Sequence, residues 1–147
     1  MDFEVKQDGK AGSVVRMNHC GTKRIETDRL ILRKLSVDDA EDMYRNWAND
    51  PEVTKYLTWP AHDSIEVTKT LLSMWSEEYS KKNYYQWGIE LKSIGEVIGT
   101  ISVVGMREEI GKVHIGYCIG KRWWHQGIMT ETLGAIIDFF FNEVGCN

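Results

Sequence analysis

The chain has 147 residues, 42% of them hydrophobic and 27% charged, with a formal net charge of −4. That length gives one domain with room for a core. The acidic balance speaks against a nucleic-acid partner, and with no run of 18 apolar residues there is no candidate membrane-spanning helix. Three scattered cysteines, Cys20, Cys118 and Cys146, have neither the spacing of a disulfide framework nor that of a metal site. With no apolar secretory segment in the first 24 residues, the expected setting is the reducing cytoplasm, with no bound metal.

Residues 1–24 show no sustained periodicity and contain Gly9, Gly12 and Gly21, so they read as a flexible extension, with Met17 a conceivable natural start. The ordered domain is expected over residues 25–147. Residues 29–35 form a strand with Leu30 and Leu32 on one face. Ser36-Val-Asp-Asp39 resembles a capping box, opening a helix with Ala40, Met43, Tyr44 and Trp47 at helical spacing, which Asn49-Asp-Pro51 ends. An irregular passage through His62 leads to a second helix, capped by Asp63 and Glu66, with Ile65, Thr68, Leu72, Trp75 and Tyr79 as its inner stripe.

Three strands follow. In the first, Trp87, Ile89 and Leu91 alternate with Gln86, Gly88 and Glu90, and residues 92–96 supply a hairpin turn. Residues 97–104 make the next strand, residues 105–111 a second turn, and residues 112–119 the third strand. On that last strand Val113, Ile115 and Tyr117 share one face, and His114, Gly116 and Cys118 the other. A final helix spans residues 127–143, with Met129, Leu133, Ile136, Ile137 and Phe140 as its apolar face. The order β-α-α-β-β-β-α predicts an α+β (α/β) fold: a mainly antiparallel central sheet with helices on both faces.

Residues 115–131 are the most informative stretch. A strand runs into a polar, Gly-containing turn that opens directly on a helix, which presents free backbone N–H groups and a positive dipole end, suited to phosphate oxygens. By spacing alone an ordinary strand–loop–helix connection reads equally well. Six tryptophans and six tyrosines fit a large-residue core, or, for Trp59, Tyr85 and Trp87, a substrate groove.

The element order, the opening Glu26-Thr-Asp-Arg-Leu-Ile-Leu-Arg33 and residues 115–131 together resemble the GNAT N-acetyltransferases, in particular the branch of ribosomal-protein N-terminal acetyltransferases (the RimJ/RimL type). The branch's turn, Gln/Arg-x-x-Gly-x-Gly/Ala, is matched here by Trp124-His125-Gln126-Gly127-Ile128-Met129, with substitutions at both ends, followed by the matching Thr130-Glu131. The resemblance implies an acyl-CoA N-acyltransferase-like fold and acetyl-CoA as co-substrate. It implies that the pyrophosphate lies on the amides of His125, Gln126, Gly127, Ile128, Met129 and Thr130. The pantetheine would then extend the sheet along Tyr117, Cys118 and Ile119.

The function implied is acetyl transfer to a primary amine, a protein N-terminal α-amine by branch analogy, since an α-amine of pKa about 7.7–8.0 needs only a modest base. His114, where related sequences often carry Glu, is the first candidate base, with Glu90 second; a plain sheet histidine and a solvated carboxylate are the bland readings of both. Cys118 reads as a buried structural thiol and Glu131 as a partner of the helix N-terminal turn. Relatives in this branch continue past residue 147 into further elements, so the C-terminal elements of the fold are expected to be absent. The edge of the 112–119 strand is then expected to be unpaired and, beside Phe139, Phe140 and Phe141, to favour a homo-oligomer. The alternative from another class is a non-catalytic interaction module built on a partial acetyltransferase fold.

Overall fold

The computed structural model describes residues 2–6, by backbone only, together with residues 18–107 and 112–144. Residues 7–17 of the expected extension (Gly9, Gly12 and Met17 among them), residues 108–111 of the expected second turn and Cys146 lie outside the described residues, while residues 105–107 of that turn are strand rather than turn. Six strands, β1 (Asp2–Lys6), β2 (Ile25–Glu26), β3 (Leu30–Arg33), β4 (Gln86–Leu91), β5 (Glu96–Arg107) and β6 (Lys112–Ile119), form one antiparallel sheet in the order β1-β6-β5-β4-β3-β2. The helices are α1 (Ala40–Met43), α2 (Pro51–Thr54), α3 (Ile65–Glu78) and α4 (Ile128–Asn142).

Strand alternation divides the apolar residues between two faces. One face carries Leu30, Leu32, Trp87, Ile89, Ile101, Val113 and Ile115, and α4 covers it with Ile128, Ile136, Phe139 and Phe140. The other carries Leu35, Val97 and Cys118, and the preceding helices cover it with Ala40, Met43, Trp47, Val53 and Leu72. Tyr85 and Trp87, allowed above as groove residues, are fully buried on the α4 face. There Phe139 and Phe140 meet Tyr85 edge to face with centroids 6.0 and 5.0 Å away.

Five further expectations need correcting. The helix foreseen after Ser36 is a succession: a 3₁₀ turn, Val37–Asp39, opened by a complete Ser36/Asp39 capping box, then α1, then a π turn, Tyr44–Ala48. Asn46 Nδ2 donates to the Val97 carbonyl at 2.8 Å, and Val97 N–H to Asp42 at 3.2 Å, so this segment follows the start of β5. Pro51 does break that helix, yet it also begins α2 at N1, after an Asp50 cap. The N-cap of α3 is Ser64 rather than Asp63, with no side-chain cap bond. The buried stripe of α4 is Ile128, Thr132, Ile136, Phe139 and Phe140, so Met129 and Leu133 sit at its margin, Ile137 is only partly buried, and only Phe141 of the three phenylalanines is exposed.

The fifth concerns the N-terminal stretch. Residues 18–24 are bonded to the body: Asn18 N–H donates to the Val144 carbonyl at 2.6 Å, Gly21 N–H to Lys82 at 2.8 Å, and the Trp87 indole to the Lys23 carbonyl at 2.7 Å. Further back, β1 lies antiparallel on β6 from Lys112 to Gly116, the edge expected to be unpaired. The expected route to a homo-oligomer through that edge therefore loses its ground over those five residues.

Candidate active site

The β1 register ends at Asp2 opposite Gly116, short of Tyr117, Cys118 and Ile119. Beyond Ile119 a 3₁₀ turn, Lys121–Trp123, and residues 124–127 carry the chain to α4. Around this junction lies a cavity of about 460 Å³. Its lining includes all nine residues singled out for cofactor binding: Tyr117, Cys118, Ile119, His125, Gln126, Gly127, Ile128, Met129 and Thr130. Val53, Tyr56, Trp123 and Trp124 complete it. A more open groove of about 670 Å³ lies between β2 and the other side of α4.

The turn is sharp because two of its residues are left-handed: His125 at φ 63° and Gly127 at φ 74°. Glycine adopts this region freely, and histidine more readily than β-branched residues. Gly127 is the N-cap of α4, and the first helical bond runs from Glu131 N–H to its carbonyl at 3.1 Å. The N–H groups of Ile128, Met129 and Thr130 therefore precede the ladder and face the cavity end of a 15-residue helix, where the dipole is positive.

Glu131 anchors that helix start. Arg29 Nε donates to its Oε1 at 2.7 Å and Arg29 N–H to its Oε2 at 3.1 Å, and the Thr27 hydroxyl bonds the same oxygen. Burial acts to raise the Glu131 pKa, but the bonds from Thr27 and Arg29 together hold it below the ordinary carboxylate value. Arg29 Nη1 also donates to the Gln126 carbonyl at 2.9 Å, so one guanidinium braces both the turn and the helix. Sequence reading missed Arg29 as part of this site: it stands 97 residues from Gln126, and nothing local in residues 26–33 marks the contact. On the opposite wall Lys121 Nζ donates to Glu52 at 2.5 Å, bringing α2, with Val53 and Tyr56, over the cavity. Both side chains are about half exposed, so this pair orients more than it stabilises.

Cys118 is buried with its Sγ 3.4 Å from the Thr100 hydroxyl, and burial pushes the thiol pKa up, which disfavours the nucleophilic thiolate. His114 and Glu90 do not line the cavity. Glu90 accepts from Arg33 Nε at 3.0 Å, and the same guanidinium bonds Asp39 at 2.8 and 3.1 Å, so Glu90 belongs to a brace joining β3, β4 and the capping box. His114 shares a β6 face with Gly116 and Cys118, roughly 13 Å along the strand from Cys118 at about 3.3 Å per residue. Trp59 packs with the α1–α3 cluster, its ring centroid 4.5 Å from that of His62, and likewise lies outside the cavity lining. Among the described residues no three His, Cys, Asp or Glu side chains are grouped to hold a metal ion, and no helix is long and apolar enough to cross a membrane.

A sheet whose strand edge opens beside a braced helix N-terminus is the arrangement of an acyl-CoA N-acyltransferase-like fold. The family model for the acetyltransferase (GNAT) domain matches residues 29–147. The uncharacterized N-acetyltransferase YoaA of Bacillus subtilis (strain 168) is 33% identical over 121 residues, spanning 82% of this chain and 68% of YoaA. The chain is thus a member of the GNAT acetyltransferase family. Solved structures agree in fold. An acetyltransferase (GNAT family) from Bacillus anthracis superposes with a TM-score of 0.65 at 20% identity, covering 82% of this chain and 68% of that one. The ribosomal-protein-S5-alanine acetyltransferase from Vibrio fischeri gives 0.64 at 19% identity, covering 81% and 67%.

Proposed function

We propose that this acetyltransferase takes its acetyl group from acetyl-CoA and delivers it to a primary amine, with a protein N-terminal α-amine as the acceptor class. The observation that supports the donor is the shared cavity: nine residues chosen for cofactor contact line one space, at the open stretch of β6 and the N-terminus of α4. In this reading the pyrophosphate sits on the amides of residues 125–130, and the pantetheine arm runs back along Ile119 and Tyr117 towards Gly116. The thioester then approaches the face that carries His114.

His114 is the base of this proposal, taking the ammonium proton directly or through water. Glu90 is the second candidate, its carboxylate held by Arg33 in the brace of β3 and β4. An α-amine supports the acceptor class, since it is partly neutral near pH 7 and asks little of an imidazole. The reducing cytoplasm fits Cys20 and Cys118, both free thiols.

Isothermal titration with acetyl-CoA tests the donor: heat at micromolar ligand is expected, and none at high micromolar concentration removes the proposal. Thiol release with peptides bearing free α-amines, compared with lysine side-chain amines, then tests the acceptor. Binding without turnover on any amine would make the chain a binding module instead.

A further inference from the structure

Trp124 occupies the edge of β6 in a way that bears on how the cavity opens. In an antiparallel sheet the N–H and C=O of successive residues point alternately to the two sides of a strand. Gly120 N–H donates to the Ile98 carbonyl at 2.8 Å, so Gly120 and Cys118 face β5 and Ile119 faces the opposite edge. On that edge β1 reaches only to Gly116. The outward Ile119 carbonyl accepts the Trp124 indole N–H at 2.9 Å. The indole thus fills the hydrogen-bonding position that a ligand extending the sheet past β1 would take.

Turning the Trp124 ring outward would break one side-chain hydrogen bond and its packing beside the core. Trp124 is half-buried at the junction of the two apolar clusters and forms part of the cavity wall. Its backbone is extended (φ −64°, ψ 150°) and its N–H donates to the Lys121 carbonyl at 3.2 Å. A rotation of the side chain would leave this backbone hydrogen bond and the 3₁₀ turn in place.

We propose that Trp124 is the gate of this cavity. Its indole N–H caps the Ile119 carbonyl and yields it to a secondary amide of the incoming ligand as the ring turns outward. The proposal rests on the acyl-CoA reading of the cavity and names the residue that regulates entry.

The test compares the wild-type chain with Trp124→Phe, which keeps a ring but removes the donor. Losing one competing neutral hydrogen bond should tighten acetyl-CoA binding about three- to ten-fold in calorimetry. In the wild type, the Trp124 indole N–H resonance, assigned by its absence from Trp124→Phe, should shift and exchange faster with water when acetyl-CoA is added. If Trp124→Phe does not fold, Trp124→Tyr assigns the same resonance and the wild-type measurement stands. Equal or weaker binding by a folded variant, with the indole resonance unmoved, overturns the gate and leaves the acyl-CoA reading intact. Absence of binding by both proteins overturns that reading, and the gate with it.

Discussion

At the scale of residues, the site depends on two positions that do different work. An added Cβ on Gly127 would meet only Arg29 Nη2 at 3.5 Å, an ordinary contact, so its demand is conformational rather than steric. Gly127→Ala should cost about 1–2 kcal/mol for placing an ordinary residue at φ 74°, and Gly127→Asn distinctly less, because asparagine tolerates that region. Urea unfolding of the two variants checks the order. Glu131 works by charge. Its folded pKa lies below the usual 4.5, so the stability it adds is fully present above about pH 4.5 and is lost as pH falls through the folded value. Glu131→Gln should lower stability by about 1 kcal/mol at pH 7. The gap from wild type should close below pH 4.5 in a urea series; a gap constant down to pH 3 would refute the assignment. Sequence did place Gly127 and Glu131 at the helix start. It could not pair Glu131 with Thr27 and Arg29, since that contact spans more than a hundred residues.

At the scale of elements, the close approach of β5 to β6 sets the position of the cavity edge. A Cβ on Gly99 would stand 2.4 Å from the Cys118 carbonyl oxygen and 2.9 Å from Ile119 Cα, both backbone atoms held in the ladder. Gly99→Ala should therefore push the strands apart at the cavity and cost about 1–3 kcal/mol, with weaker acetyl-CoA binding alongside. Gly88→Ala meets Leu35 Cδ2 at the same 2.4 Å, but that is a flexible side-chain end, so its cost in the same unfolding assay should be smaller. Two long elements were legible from periodicity, since β6 has the bounds expected of it and α4 starts and ends within one residue, whereas β5 runs on through Arg107 into residues expected to turn. The π turn at residues 44–48 and α2 were not, because their geometry answers to β5 and to Lys121 rather than to their own pattern.

At the scale of the whole molecule, β1 closes the β6 edge from Lys112 to Gly116. That stretch of β6 is then no template for a second chain, and the sheet ends on this side at β1. Val5→Pro removes a backbone donor opposite Val113 and should loosen β1. Sedimentation velocity should then show more self-association than the wild type at equal concentration. Unchanged profiles would mean that β1 does not protect the edge.

The sequence alone determined the order of the longer elements from β3 to α4, the buried faces of β3, β4 and β6, and the strand–turn–helix of residues 115–131, because these rest on local periodicity and turn chemistry. The family resemblance, also carried by local motifs, pointed to nine of the thirteen residues that line the cavity. Tertiary structure alone decided that Tyr85 and Trp87 are core, that Glu90 serves Arg33, that Arg29 braces the turn, and that β1 lies on β6. Each of those is a contact between residues distant in the chain, fixed by packing and hydrogen-bond satisfaction across the sheet, for which a linear pattern carries no signal.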